Sequence, residues 1–261
     1  MSKTVDSLVI DQFKKLIESD EGEQRYQEFL ETHTEFLPRE FIQNHGLHLD
    51  VVIRKLGLGS DYTTDFFYLS KSSEDWHCVL VEIEKPRSRY FKDNSNDFHQ
   101  DFSSALQQIN KWRAWLADQA NAKYFTEAIV GPLRKPLGEN PCSFKYVLVH
   151  GRRGEIAGNK VKQSLVRGQE REDFKILSYD SLLDHPKSNR LYVGVKKNEY
   201  IDIISKEFLT DSLFVHVPHS VLRITSALHK DALARRDRWF TRSDLDKFWM
   251  DEALKKVIVK D

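Results

Sequence analysis

The pattern of apolar and polar positions divides the chain into helical and strand-like stretches. Apolar residues recur every three or four positions over residues 8–17, 26–30 and 102–119, which predicts helices that bury one face. Asp20 stands where its side chain could cap the second of these helices. Short β-branched or aromatic runs, bounded by Gly, Ser, Asp or Pro, predict strands at residues 47–56, 62–70, 76–84, 144–152 and 174–180.

The order of these elements indicates the fold class. Two helices, a run of strands, one long helical connection and further strands are typical of an α/β fold with a layered core. The pattern becomes less regular after residue 186. The sequence therefore predicts a helical segment at 1–19, a core domain at 20–185 and a C-terminal α+β extension at 186–261.

Composition limits the classes of partner. Lys plus Arg and Asp plus Glu number 40 each, so no whole-chain field attracts nucleic acid or anionic membranes, and only local patches could. Cys78 and Cys142 are the only cysteines, too few for a disulfide framework or a Cys-rich zinc site. No apolar run approaches the roughly 20 residues that span a bilayer. The expected location is the cytoplasm, with no membrane partner.

The residues most indicative of chemistry lie in a predicted hairpin, residues 60–86. Side chains alternate along a strand, so Glu82 and Glu84 share one face, and Asp65 on the preceding strand could lie alongside them. Three converging carboxylates repel one another unless a cation, a proton or a basic residue intervenes. A divalent cation such as Mg²⁺, which prefers oxygen ligands, is the natural counter-ion.

Each of these positions has a structural alternative. Lys85 is the nearby candidate for a catalytic lysine, but alternation places it on the opposite face unless a bulge or the strand end before Pro86 turns it round. Glu82 and Glu84 could instead form the solvated face of an edge strand. Asp65 could form a salt bridge with Lys71 or Lys85.

Two stretches carry local positive charge. Residues 151–171 hold six bases against two acids, and a second group, which spans residues 223–242, is interleaved with Trp239 and Phe240. Either stretch could follow a phosphate backbone. The alternative for the second group is a solvated helix face paired with nearby aspartates, namely Asp231, Asp237 and Asp244.

Six blocks of sequence resemble, in order, the domain of the Shedu family of bacterial anti-phage defence proteins, which belongs to the PD-(D/E)xK nuclease superfamily. The blocks are EQRYQEFLETHTEFLP (23–38), YTTDFFYL (62–69), VLVEIEKP (79–86), ALQQINKWRAWL (105–116), VLVHGRR (147–153) and LSYDSLL (177–183). The resemblance implies a restriction-endonuclease-like core, with a central mixed sheet flanked by helices, followed by a C-terminal appendage.

The resemblance also assigns roles to residues of the hairpin. Asp65 matches the first metal-binding aspartate, with Thr64 in place of the superfamily proline. Glu82 matches the D/E of the second element, and Glu84 stands where a lysine is expected. Lys85 could supply that charge, or the site could be an ExE variant.

Two helical positions complete the implied site. Glu23 resembles the acidic residue of the first core helix and could join Asp65 and Glu82 as a metal ligand, although an acid in an acidic helix is commonly just solvated. Gln107 and Gln108 resemble the glutamine-bearing helix after the hairpin, and Gln108 is the preferred site residue. The implied cofactor is Mg²⁺ or Mn²⁺.

The implied function is a metal-dependent DNA endonuclease of anti-phage defence, which hydrolyses phosphodiester bonds with a metal-activated water. Its DNA contacts are expected at Arg152, Arg153, Lys160 and Lys162. The resemblance further implies a homo-oligomer, a tetramer, with a phage component as a candidate trigger. The alternative is a catalytically weak or silent module that binds nucleic acid or senses phage components.

Overall fold

The computed structural model describes residues 5–135, 137–235 and 244–260. The chain forms two compact units, each built from three stretches. The first unit contains residues 1–41, 79–118 and 144–190, and the second contains residues 42–78, 119–143 and 191–261.

The elements are numbered in chain order. The helices are α1 (Ser7–Glu18), α2 (Glu23–Thr32), α3 (Gln100–Ala117), α4 (Gln119–Tyr124), α5 (Lys160–Arg167), α6 (Tyr179–Asp184), α7 (Ser212–His216), α8 (Ser226–Ala234) and α9 (Asp244–Lys256). The strands are β1 (Leu47–Arg54), β2 (Gly57–Leu58), β3 (Tyr62–Thr63), β4 (Phe66–Lys71), β5 (Trp76–Ile83), β6 (Cys142–Val149), β7 (Phe174–Leu177), β8 (Tyr192–Lys197), β9 (Tyr200–Ile203), β10 (Leu222–Thr225) and β11 (Ile258–Lys260). None of the described helices is long and apolar enough to cross a bilayer.

The first unit packs helices with the end of β5, β6 and β7. These strands are neighbours in that order, and β6 and β7 are parallel. The later part of the apolar stripe of α1 is buried as predicted: the Phe13 ring is fully buried and stacks on Phe29 of α2, with ring centroids 5.0 Å apart. Leu8, at the start of the stripe, is exposed. Helix α2 begins three residues after Asp20, with Gly22 before it and no side-chain cap. The predicted capping role of Asp20 is therefore wrong, because its carboxylate precedes the first turn by too many residues.

The second unit holds most of the mixed sheet, with neighbouring strands in the order β11, β10, β9, β8, β1, β4 and the start of β5. Strand β1 runs antiparallel to β4 and parallel to β8. This combination of mixed strand pairing and helices confirms the α/β fold class. The C-terminal extension contributes β8 to β11, in which β10 is parallel to both β9 and β11.

The runs predicted at 47–56 and 144–152 end at Arg54 and Val149, and two further predicted strands break or end early. The run 62–70 is interrupted at Thr64 and Asp65, between β3 and β4. The run 174–180 ends at Leu177, because the Ser178 hydroxyl accepts a hydrogen bond from the Ser181 amide at 3.3 Å and starts α6. At Ser178 a short polar side chain thus offers the backbone an alternative to strand pairing.

Candidate functional site

The two glutamates at the end of β5 share one face of the strand. Val81 and Ile83 are buried, whereas Glu82 and Glu84 are only partly buried. This alternation is the one that the sequence predicts. The two carboxylates therefore lie on the side of β5 that retains contact with solvent, while the intervening side chains anchor the strand in the core.

Hydrogen bonds on two sides fix the backbone of Glu84. Its amide donates to the Val149 carbonyl at 2.8 Å, and its carbonyl accepts from the Tyr179 hydroxyl at 2.6 Å. The strand then ends, and the Ser88 amide donates to the Lys85 carbonyl at 3.0 Å in a turn. The position of Glu84 is thus set by β6 and α6 as well as by its own strand.

An open pocket lies where β5 ends. Its lining residues come from the strand end, the following turn and the first turns of α3; they are Glu84, Lys85, Arg87, Ser88, Gln100, Asp101 and Ser104. Lys85 thus lines the same pocket as Glu84, because the strand has ended and plain alternation no longer applies. The sequence offered one signal for the α3 residues, since Gln100 and Ser104 stand one helical turn apart.

The two predicted helical site residues have different surroundings. Gln108 lies on α3, one turn beyond Ser104, and is partly buried. It is not among the described residues that line the pocket. Glu23 is the first residue of α2, and its side chain is exposed. Both belong to the first unit, as do Glu82 and Glu84.

Asp65 belongs to the second unit and is buried, with 4% of its surface exposed. The Lys55 ammonium donates a hydrogen bond to Asp65 Oδ1, and the Lys55 amide donates to the Asp65 carbonyl at 2.9 Å. The sequence allows Asp65 an ion pair with Lys71 or Lys85, and the structure shows one with Lys55 instead. The reason is the register of β1 and β4: Arg54 pairs with Phe66, so the residues just beyond them meet.

The donor chemistry of the predicted metal ligands fits a divalent cation. Within residues 5–135, 137–235 and 244–260, no three His, Cys, Asp or Glu side chains form a group that could hold a metal. The predicted convergence of Asp65, Glu82 and Glu84 as a three-carboxylate group is therefore wrong. Mg²⁺ needs fewer protein ligands, because it is commonly held by one or two carboxylates and keeps waters and phosphate oxygens for its remaining positions. Asp65, Glu82 and Glu84 offer the carboxylate oxygens that Mg²⁺ and Mn²⁺ prefer.

Arg152 and Arg153 of the first basic stretch form ion pairs within the first unit. Arg152 donates two hydrogen bonds to Asp180 Oδ1, at 2.9 and 3.0 Å, and a third to the Ile17 carbonyl at 3.3 Å. Arg153 pairs with Asp184. Burial alone would raise the pKa of Asp180, but hydrogen bonds from the Arg152 side chain and the Arg153 amide outweigh it and lower that pKa.

Other basic residues have mixed surroundings. Lys160 is exposed at the start of α5, and the Lys162 ammonium lies 4.8 Å from the centroid of the Phe91 ring. In the second basic group, Arg235 pairs with Asp231 at 2.8 Å. This pair agrees with the alternative that the second group is a solvated helix face paired with nearby aspartates. The predicted contributions of Arg236, Arg238, Trp239, Phe240 and Arg242 lie outside the described residues.

Comparison with known proteins addresses the resemblance directly. A search of curated proteins finds no match to the chain. Residues 20–183 match the family model described as the C-terminal region of the Shedu protein SduA. This segment covers the pocket, the end of β5, Asp65, α3 and the Arg152 segment. The chain therefore belongs to the Shedu family.

Proposed function

We propose that this chain is a metal-dependent DNA endonuclease of anti-phage defence. Membership of the Shedu family suggests the defence role. The observation that carries the catalytic part is the end of β5, where Glu82 and Glu84 share one face and Lys85 lines the pocket beside Glu84. Paired carboxylates beside a lysine are the groups that metal-assisted phosphodiester hydrolysis uses.

Asp65 and Glu82 are the proposed metal ligands, with Glu23 as a further candidate. A bound Mg²⁺ or Mn²⁺ would activate water and stabilise negative charge on the scissile phosphate. The Lys55 ammonium pairs with Asp65 in the structure, so a cation at Asp65 would compete with Lys55 for its carboxylate.

The remaining residues act on water and phosphate. The Glu84 carboxylate would accept a proton from the attacking water or complete the metal shell. The Lys85 ammonium would offset charge that develops on the phosphate oxygens. Gln108 would orient water or substrate through its amide. Lys160 and Lys162 would extend the contact along the DNA backbone, with Arg152 and Arg153 held in their ion pairs.

A second candidate function is a binding module that does not cleave. Glu84 in the superfamily lysine position and the ammonium already paired with Asp65 favour it. Such a module would bind nucleic acid or a phage component. The homo-oligomer, the tetramer, the phage trigger and the cytoplasmic location stay predictions in either case.

Incubation of the purified chain with supercoiled plasmid separates the two candidates. We expect nicked and linear DNA in Mg²⁺ or Mn²⁺ and none in EDTA. Glu82→Gln should lower the cleavage rate at least about 100-fold, the effect expected of losing a group that acts in the reaction. Glu172→Gln, an exposed carboxylate outside the site, is the matched control. DNA binding without cleavage in any metal would replace the endonuclease with the binding module.

A further inference from the structure

The pocket at the end of β5 contains two basic side chains that form weak ion pairs, or none, within the described chain. The Lys85 side chain is exposed and forms no ion pair within the described chain. Arg87 Nη1 lies 3.6 Å from Asp20 Oδ2, and both side chains are more than half exposed. Exposed pairs of this kind contribute about 0 to 1 kcal/mol. An anion could therefore bind both cations with little loss of ion-pair energy.

Neutral donors stand on the opposite wall, which α3 provides. The Gln100 amide donates to the Ser104 hydroxyl oxygen at 2.9 Å. Because that oxygen accepts from Gln100, the hydroxyl hydrogen of Ser104 is left to donate elsewhere. Both side chains are exposed at the pocket. The pocket thus combines two exposed cations with a hydroxyl donor.

One of the two carboxylates in the pocket is partly neutralised. The Arg89 amide donates to Asp101 Oδ2 at 3.1 Å, so backbone hydrogen bonding offsets part of the Asp101 charge. The pocket thus holds two cations, Lys85 and Arg87, against Glu84 and a hydrogen-bonded Asp101.

We propose that this pocket binds a phosphate group, with Lys85 and Arg87 contacting its charged oxygens and Ser104 donating a hydrogen bond. Lysine, arginine and serine side chains are common partners of phosphate oxygens in protein–DNA complexes. The group could belong to a nucleic-acid backbone or to a free phosphate anion. The nucleic-acid source rests on the proposed function; binding of the phosphate group itself does not.

The first arm of the test measures DNA affinity in EDTA, where metal-dependent cleavage does not proceed. Fluorescent duplex DNA is titrated with the full chain at several KCl concentrations. Loss of one phosphate contact in the Lys85→Ala/Arg87→Ala variant should reduce the slope of log K against log salt by about 0.9. Ser104→Ala should weaken binding at every salt concentration without changing the slope, because it removes no charge. Lys175→Ala, a half-exposed lysine on β7, should behave as the parent.

The second arm titrates inorganic phosphate into the parent, the double variant and Lys175→Ala, with calorimetry as the readout. Phosphate binding that only the double variant loses supports the pocket, even if the parent binds no DNA and the proposed function fails. A reduced salt slope in the first arm supports the nucleic-acid source. If the double variant matches Lys175→Ala in both arms, the pocket does not bind phosphate and the inference is overturned.

Discussion

The segment that follows β5 and the segment that follows β6 carry similar positive charges in different electrostatic states. After β6, Arg152 and Arg153 are each paired with an aspartate of α6. After β5, Lys85 is exposed in a pocket without an ion-pair partner in the described chain. The density of basic residues in a sequence therefore does not measure the charge available to a ligand.

The segment after β6 also supports the segment after β5. The Glu155 carboxylate accepts hydrogen bonds from the Tyr90 and Phe91 amides, each at 2.9 Å. Gly151 lies against the Ser88 carbonyl, which belongs to a pocket residue. Residues 151–155 thus hold the turn that carries Lys85 and Arg87. We therefore infer a supporting role for the segment after β6, and we propose ligand contact for the segment after β5.

The largest expected effect follows from Gly151. Its φ is +56°, and an added Cβ would stand 2.6 Å from the Ser88 carbonyl oxygen. Gly151→Ala should lower the free energy of unfolding by about 3 kcal/mol or more, since backbone strain and a steric clash combine. Gly158→Ala, with φ +75° and open space around the new Cβ, should cost only about 1 kcal/mol. Urea unfolding measures both, and equal losses would refute a specific contact at Ser88.

Acid should lower the free energy of unfolding through His150, which directly precedes residues 151–155. Burial lowers the pKa of His150 from 6.5 to about 4, and neither ring nitrogen has a hydrogen-bond partner among the described residues. The unfolded chain therefore binds a proton that the folded chain excludes. Stability is full above pH 6.5 and falls toward pH 4, by on the order of 3 kcal/mol for this residue. Burial lowers the pKa of His48 to about 4 as well, which adds a similar loss.

His150→Phe isolates the contribution of His150. The new ring would keep the contacts with Tyr90 and Phe102, whose centroids lie 4.6 and 5.1 Å from that of His150. We expect the pH dependence of the urea midpoint between pH 7 and 4.5 to be roughly halved, because His48 remains. A variant with the full pH dependence of the parent would show that His150 titrates normally.

A smaller change in stability should distinguish the paired arginine after β6 from the exposed lysine after β5. A double-mutant cycle on Arg152→Ala and Asp180→Ala should give a coupling of about 1 kcal/mol, as a partly exposed ion pair with two hydrogen bonds does. Lys85→Ala should change stability by less than about 0.5 kcal/mol, because its exposed side chain forms no hydrogen bond or ion pair within the described chain. Thermal unfolding of the variants provides the values. Zero coupling at Arg152 would remove the electrostatic contrast between the segments.

The smallest expected effect concerns DNA. Arg152→Ala/Arg153→Ala should leave the salt slope of DNA binding unchanged, because both arginines are engaged with aspartates. If both contact phosphates, as the sequence predicts, the slope should fall by about 2. The same salt titration as for Lys85 and Arg87 decides between these outcomes. A fall of about 2 would show that Arg152 and Arg153 contact DNA phosphates despite their ion pairs.

The features that the sequence predicts well are local. The common face of Glu82 and Glu84 follows from strand alternation, and the buried Ile83 between them makes that alternation readable. Helix α3 follows from the spacing of Phe102, Ile109 and Trp112, all of which are buried. The α/β class follows from the order of such elements.

The features that it misses depend on contacts between distant residues. Lys55 meets Asp65 because of the register between β1 and β4, which the broken run 62–70 does not reveal. Asp180 pairs with Arg152 from 28 positions away in the sequence, outside the basic stretch of residues 151–171. The pocket joins the end of β5 to the start of α3, and residue spacing alone does not bring those two together.

Metal binding tests the central claim, that Asp65 and Glu82 hold a divalent cation, most directly. Calorimetric titration with Mn²⁺ should detect binding by the parent chain and by Glu172→Gln. Asp65→Asn and Glu82→Gln should each weaken that binding at least about tenfold, since each removes a charged oxygen ligand. Circular dichroism of each variant controls for folding. Unchanged Mn²⁺ affinity in folded Asp65→Asn and Glu82→Gln would contradict the account.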